Sequence, residues 1–455
     1  MEEKSYIDEL IEKAKAAQKT FESFSQEKVD AAVKAMGKVI YDNAEIIAKE
    51  AVEESGYGRV DSKILKITRC TTAAWHYMHD KKSVGIIDYD PVEKMATYAK
   101  PVGVVAALVP TTNPVSTTVS NGMSIIKCRN AMIVSPHPRA KNVTVHGVEL
   151  MRDAIAKVGA PADLIQVIDK PSLDYTQEVM KKSDVVVATG GAAMVKSAYQ
   201  SGRPSFGVGP GNVQVIVGED YTDYDKLASN VTGSRSYDNG MPCTGEQAIH
   251  CPEYKYDNIV EAFIRRGAYM LPDEYAKKLK DVLFRENGAV DPSRVGMLPC
   301  KIAELLGLEI PENTTLLIFA SQGMTRENWL RREKLCPVIQ IFKYKTFEEG
   351  VANAKANLEW EGIGHTSALY TNDEEKAHYA AAILPVSRLV VNQPAGAASG
   401  GNFINGLHPT MSLGCGSWGN NSISDNLEYK HLMNTTKLAF YHDPTIPSAE
   451  EVWKE

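Results

Sequence analysis

The chain has 455 residues, 44% apolar and 24% charged, with a net charge of −7 and a pI near 5.9. That length exceeds one small core and predicts more than one domain, while the composition excludes a disordered or fibrous chain. The acidic balance gives no reason to expect nucleic acid, and no apolar run approaches a membrane span.

The N-terminus is charged and amphipathic and lacks a signal-peptide core. Seven scattered cysteines without a C-x-x-C spacing argue against a disulfide framework or a zinc knuckle. A soluble, cytoplasmic protein without a metal is expected.

Residues 5–55 read as helices, with Ile7, Leu10, Ile11 and Ala14, then Val29, Val33, Met36 and Ile40, at helical spacing. Ser25 is placed to cap the second helix, and a further helical run reaches residue 79. From 83 to 100 two short strands flank Asp90-Pro91. Such a hairpin is marginal alone and is expected to rest on another surface, a neighbouring subunit being one candidate.

Between 101 and 217, strands at 102–109, 131–135, 164–168, 185–188 and 213–217 alternate with helices at 114–126, 143–158, 176–182 and 192–201. Short continuous apolar strands in that alternation predict a parallel sheet covered on both faces. Its ligands are expected beyond the carboxyl ends of the strands, where the loops 110–114, 135–138 and 189–191 lie.

A second α/β region runs from 212 to 416, with helices at 260–266, 275–283 and 377–383 and strands at 316–319, 338–344, 367–370 and 389–391. Its tail, 396–419, is rich in Gly, Ser and Asn, but Phe403, Leu407, Leu413 and Trp418 interrupt it, predicting an ordered loop. The run 435–441 is strand-like, and no internal repeat or low-complexity segment is found.

Chemistry concentrates in Ser236-Tyr237-Asp238-Asn239-Gly240-Met241-Pro242-Cys243-Thr244-Gly245-Glu246-Gln247. The turn-forming run lifts Cys243 from the core, and a helix is expected to follow, its N–H groups favouring a thiolate and an adjacent oxyanion. On these residues alone Cys243 is a catalytic nucleophile or a buried structural thiol.

Asn113, between prolines, is either a rigid oxyanion donor or a helix cap. Thr189-Gly190-Gly191 is either a phosphate-binding turn or a tight strand-to-helix junction. The run Gly207–Asn212 allows close cofactor passage or serves a domain junction. Glu333 bonds ribose hydroxyls or is a solvated carboxylate, and His365 lines a ligand or is structural.

Five stretches occur in the order of one family: 101–114 (PVGVVAALVPTTNP), 201–212 (SGRPSFGVGPGN), 238–243 (DNGMPC), 333–338 (EKLCPV) and 413–424 (LGCGSWGNNSIS). Over almost its whole length the chain resembles the CoA-acylating aldehyde dehydrogenases. Within them it is most similar to the CoA-dependent succinate semialdehyde dehydrogenases (succinyl-CoA reductases), and it is also similar to the aldehyde half of the aldehyde–alcohol dehydrogenases. An alcohol dehydrogenase half after residue 455 is not expected.

The resemblance implies an aldehyde dehydrogenase-like α/β fold. It comprises a Rossmann-type cofactor domain (1–82 and 101–210), an α/β catalytic domain (211–432) and a β-hairpin oligomerisation arm (83–100 and 433–455). It further implies that Cys243 attacks the aldehyde or thioester, with Asn113 and the Cys243 N–H holding the oxyanion. NAD or NADP would lie against Thr111, Thr112, Ser135, His137, Pro138, Thr189, Gly190, Gly191 and Gly209, with Glu333 on the nicotinamide ribose and His365 along the CoA or cofactor path. A homodimer or dimer of dimers is implied, in the cytoplasm or in a bacterial microcompartment.

In the hydrolytic relatives a water-activating glutamate stands where this chain has Gly207. Without that base a thioester on Cys243 persists until a thiol arrives, so coenzyme A is the expected acceptor. Ser135 replaces a lysine of the hydrolytic enzymes, leaving both NAD and NADP open. A four-carbon acid semialdehyde needs a cation or donors for its far carboxylate, for which Arg69 and Thr244 are candidates. Sulfoacetaldehyde, acetaldehyde and propionaldehyde are alternative substrates. A CoA-independent hydrolytic dehydrogenase is the alternative activity.

Overall fold

The computed structural model describes residues 5–442 and 446–454. The expected domain limits that fall on 1–4, 443–445 and 455 lie outside the described residues. The strands in chain order are β1 (Gly85–Asp90), β2 (Met95–Pro101), β3 (Val104–Leu108), β4 (Ala131–Ser135), β5 (Ile165–Val167), β6 (Val185–Thr189), β7 (Ser205–Val208) and β8 (Val213–Val217). They continue as β9 (Glu246–Pro252), β10 (Ala268–Met270), β11 (Leu316–Ala320), β12 (Val338–Tyr344), β13 (Gly364–Tyr370), β14 (Val386–Val391) and β15 (Met433–Ala439).

The first sheet has the order β5-β4-β3-β6-β7, all parallel. The fully buried runs Val-Val-Ala-Ala-Leu in β3 and Ala-Met-Ile-Val-Ser in β4 need both faces covered. Helices supply that cover. Pro114–Lys127 is buried along its whole length, and the N-terminal helices add Ile7, Val33, Met36 and Ile47 to the same core. Ser25 caps the Gln26–Asp42 helix by accepting from the Lys28 N–H, as its position predicts. Leu427, Tyr429 and Leu432 also pack into this first core.

Strand order reverses between β3 and β6, whose ends Leu108 and Ala188 are paired. The following loops leave in opposite directions there and open a crevice at the carboxyl edge.

The second sheet has the order β10-β11-β12-β9-β8-β13-β14, again all parallel. In it β12, β9, β8 and β13 are consecutive neighbours, so the loops entering them stand side by side. Those loops carry Glu333, Cys243, Gly209–Gly211 and Gly362.

The hairpin forms as expected, and the run 433–439 closes on β2 of the same chain to make a three-stranded antiparallel sheet. No helix among the described residues is long and apolar enough to cross a membrane.

The structure corrects one expectation and adds detail to two others. Cys243 leads into a strand and not a helix, because Glu246–Pro252 is buried at every position and fills the gap between β8 and β12. The start of the glycine run is strand β7, paired with β6. The tail 396–419 is held by hydrogen bonds and not by its aromatics: Phe403 and Trp418 are exposed. Ser412 instead bonds Asn121 at 2.8 Å, and Asn426 Nδ2 donates to the carbonyl of His408 at 2.7 Å.

Candidate active site

Cys243 ends a tight turn that starts at the C-terminus of the Tyr224–Ser236 helix. Asp238, Asn239 and Gly240 all take positive φ (48°, 55° and 71°), the left-handed region that Asp, Asn and Gly tolerate best. Arg235, fully buried, ties the turn down from beneath. It donates to the carbonyl of Gly240 at 3.1 Å, to Gln247 Oε1 at 3.1 Å and to the carbonyl of Cys336.

On the other side an added Cβ at Gly211 would stand 1.8 Å from the carbonyl oxygen of Cys243, so only glycine lets the two loops pass. Cys243 itself is half-buried.

Burial pushes the Cys243 thiol up to about 12, helped by Glu333 and Cys415 and opposed by the cation of Arg388. With a strand following, no helix N-terminus offsets this rise. Arg388, in β14, is the buried cation that opposes this rise. It donates to the carbonyls of His365 and Gly414, both at 2.8 Å, and to Asn426 Oδ1 at 3.2 Å, all neutral acceptors.

Glu333 is buried with Oε1 unpartnered. Burial, with Glu361 beside it, raises its carboxyl to about 8, against the pull of Arg235 and of the Gly211 N–H. Neutral at moderate pH, it is a donor and acceptor poised beside the thiol, not a solvated carboxylate.

Asn113 is the N-cap residue of the Pro114–Lys127 helix, yet its side chain makes no capping bond. Its Oδ1 instead accepts from Lys66 Nζ, while Nδ2 has only a long 3.3 Å contact to Thr112 Oγ1. Thr111 is buried beside it.

Thr189 ends β6 with its hydroxyl 3.0 Å from that of Ser412. Gly190 precedes Gly191, which opens the Ala192–Gln200 helix without a side-chain cap; added Cβ atoms at Gly191 and Gly209 meet nothing within 4 Å. Uncapped helix N–H groups, with open space at Gly191 and Gly209, fit a pyrophosphate.

Ser135 is buried, its Oγ 3.0 Å from Thr176 Oγ1. His137 is exposed, its Nδ1 accepting from the Arg139 N–H at 3.2 Å, and Pro138 begins the short helical turn that follows. His365 is fully buried in β13, with Nδ1 3.1 Å from Thr366 Oγ1 and Nε2 unpartnered. Burial holds its ring down at about 3, so it is neutral.

Arg69 is exposed on the Val60–Met78 helix. Thr244 is buried, its hydroxyl donating to the carbonyl of Gly396 at 3.4 Å. Among the described residues no group of three or more His, Cys, Asp or Glu is gathered as for a metal ion.

Sequence reasoning missed Arg235, Arg388 and the cluster of Lys63, Lys66 and Asp238. The signal for the lysines was their i, i+3 spacing on a helix whose neighbouring positions, Ser62, Ile67, Thr71 and Ala74, are buried.

Residues 1–271 match the aldehyde dehydrogenase family. The chain belongs to that family. Over 449 residues it is 48% identical to the succinate-semialdehyde dehydrogenase (acetylating) of Clostridium kluyveri, the match covering 98% of each chain. Its fold superposes on an acetylating aldehyde dehydrogenase from Geobacillus thermoglucosidasius with a TM-score of 0.93 and 36% identity, covering 97% of this chain and 98% of that one. A propionaldehyde dehydrogenase from Rhodopseudomonas palustris, with bound CoA and an acylated cysteine, is 25% identical at a TM-score of 0.84, covering 95% and 97% of the two chains.

Proposed function

We propose that the chain is a CoA-acylating aldehyde dehydrogenase that interconverts a short acyl-CoA and its aldehyde through a thioester on Cys243. The supporting observation is the packing at Gly207. A Cβ there would lie 2.5 Å from Val195 Cγ1 and 2.9 Å from Tyr199 Cε2, so the carboxylate base of a hydrolytic enzyme would have to displace these side chains to stand at this position.

In the reductive direction the Cys243 thiolate attacks the acyl-CoA carbonyl, and the oxyanion rests on Asn113 Nδ2 and the Cys243 N–H. Collapse expels the thiolate of coenzyme A and leaves the acyl group on sulfur. When bound, the nicotinamide of NAD(P)H supplies the hydride to that thioester. The sulfur of Cys243 then leaves as thiolate and frees the aldehyde.

Thr111, Thr112, Ser135, His137, Pro138, Thr189, Gly190, Gly191 and Gly209 form the cofactor surface, with Glu333 at the nicotinamide ribose and His365 behind the path. The unit 1–82 plus 101–210 binds the cofactor. The unit 211–432 carries the nucleophile, and its last residues, 427–432, return to the first core.

Succinyl-CoA is the proposed acyl donor, on the likeness to the Clostridium kluyveri enzyme, with Arg69 and Thr244 the candidates to receive its far carboxylate. The three-stranded arm, 83–100 and 433–455, leaves β15 almost wholly exposed, with Leu438, Phe440 and Tyr441 uncovered beside it. Free edges and apolar side chains of this kind support pairing between protomers, as a homodimer or a dimer of dimers.

The test is a panel of acetyl-, propionyl-, succinyl- and sulfoacetyl-CoA with NADH or NADPH, followed at the nicotinamide absorbance, with Cys243→Ala as control. Reduction is expected with succinyl-CoA foremost and a loss of about 10⁴-fold or more in the variant. Aldehyde oxidation at full rate without coenzyme A, with heavy oxygen from water in a free acid, refutes the reading.

A further inference from the structure

Asn113 does not stand alone. Lys66 Nζ, 9% exposed at its side chain, donates to Asn113 Oδ1 and, at 2.8 Å, to Asp238 Oδ2. Lys63 Nζ, one helical turn earlier, donates to the carbonyl of Thr112 at 3.0 Å and lies 3.4 Å from the same Asp238 oxygen. Asp238 is fully buried, and its other oxygen accepts from the Arg59 N–H at 2.9 Å.

The ring of Tyr237 lies under Lys66 at 5.5 Å, and the Tyr237 hydroxyl donates to the carbonyl of Ser62. The space beside these groups is only about 10 Å³, lined by Lys63, Lys66, Thr112 and Asn113 together with Ile47 and Ala51. That holds one water at most, too little for a substrate group.

We infer that Lys66, clamped by Asp238, is a positioning residue that sets Asn113 as the oxyanion donor and ties it to the nucleophile's turn. The inference rests on the oxyanion role of Asn113 given above. An ammonium carries only donors, so the amide oxygen must face Lys66 and the NH₂ must face away from it. A cation on the oxygen also polarises the amide, which makes Nδ2 a stronger donor to a developing oxyanion.

Asp238 is five residues before Cys243, within the left-handed turn that presents the sulfur. One carboxylate therefore holds both the loop of the donor and the loop of the nucleophile. Burial and the neighbouring Lys66 lower Lys63 to about 8, so below that pH two cations share one carboxylate and leave a net positive charge behind Asn113, the sign an oxyanion requires.

The test compares Lys66→Met, Asn113→Ala and the double variant by two rates on the full-length enzyme. One is first-turnover release of coenzyme A from succinyl-CoA, by rapid quench without nicotinamide. The other is alkylation of Cys243 by iodoacetamide, a displacement that forms no oxyanion.

Lys66→Met is expected to slow coenzyme A release by about tenfold to a hundredfold, below the ~10²–10³ of losing a donor outright. It is expected to leave alkylation within about twofold and to add nothing once Asn113 is Ala. Lys66→Arg, which keeps charge and donors, restores most of the rate. Should Lys66→Met not fold, Lys66→Gln, neutral and still a donor, enters the same cycle and is expected to lose less.

An equal loss in wild-type and Asn113→Ala backgrounds, or an equal loss of alkylation, overturns the inference. Unchanged coenzyme A release in Asn113→Ala alone removes the oxyanion role itself, and that result is read before Lys66 is touched.

Discussion

Gly211 passes directly against the carbonyl of Cys243, and Gly211→Ala perturbs that contact with a single methyl group. The added carbon would stand 1.8 Å from that oxygen, where carbon and oxygen normally keep more than 3 Å apart. The two loops must therefore separate by more than about 1 Å. Neither side yields easily. The Cys243 turn is pinned by Arg235, and Asn212 donates to the carbonyls of Arg331 and Glu361 at 2.9 and 3.0 Å.

Overpacking of this kind costs about 1–3 kcal/mol of stability. A displacement near 1 Å at a reacting atom costs about 10²-fold in rate. The Gly211 N–H that bonds the Glu333 carboxylate moves as well. Acyl-CoA reduction is expected to fall by about two orders of magnitude, with melting lowered by several degrees and iodoacetamide alkylation of Cys243 altered alongside. Wild-type kcat at an unchanged melting temperature would show that the loops do not touch as described.

Arg388→Met removes the buried cation that opposes the rise of the Cys243 thiol. Its alkylation–pH curve should move to higher pH, and a thiol pKa higher by one lowers the rate at pH 8 by about tenfold. An unmoved curve refutes the role.

Glu333 has its carboxyl raised from 4.5 to about 8 by burial, so its neutral form favours the fold. That contribution is complete below pH 4.5 and is lost as pH rises through 8, so Glu333→Gln should lose less melting temperature than wild type between pH 5 and 9. Parallel melting curves would place the carboxylate in water. Gly207→Glu should not create a hydrolase: thermal denaturation is expected to show a destabilised protein, and product analysis no CoA-independent acid.

Much of this was legible in the sequence. Strands β4, β8 and β12 fall on the predicted residues, because predominantly apolar runs of five to seven residues bounded by turn formers have few other uses. The helix Phe347–Leu358 and the strand Glu246–Pro252 were missed. The first has small and polar residues at positions that burial alone makes internal, such as Gly350 and Asn357. The second opens on Glu246-Gln247, residues poor in strand propensity, and is held by its two neighbours in the sheet.

The chain by itself determined the chemistry on offer: a cysteine after a turn, an asparagine between prolines, and glycines after a strand. Those are local properties of residue type and spacing. Which groups meet was decided only by tertiary structure. Parallel pairing sets the entries of β12, β9, β8 and β13 in a row, and so brings Glu333, Cys243 and Gly211 together across 122 residues of sequence. Tertiary packing also buries Lys63, Asp238 and Arg388 and most of the Lys66 side chain, where solvent screens their charges less than at the surface.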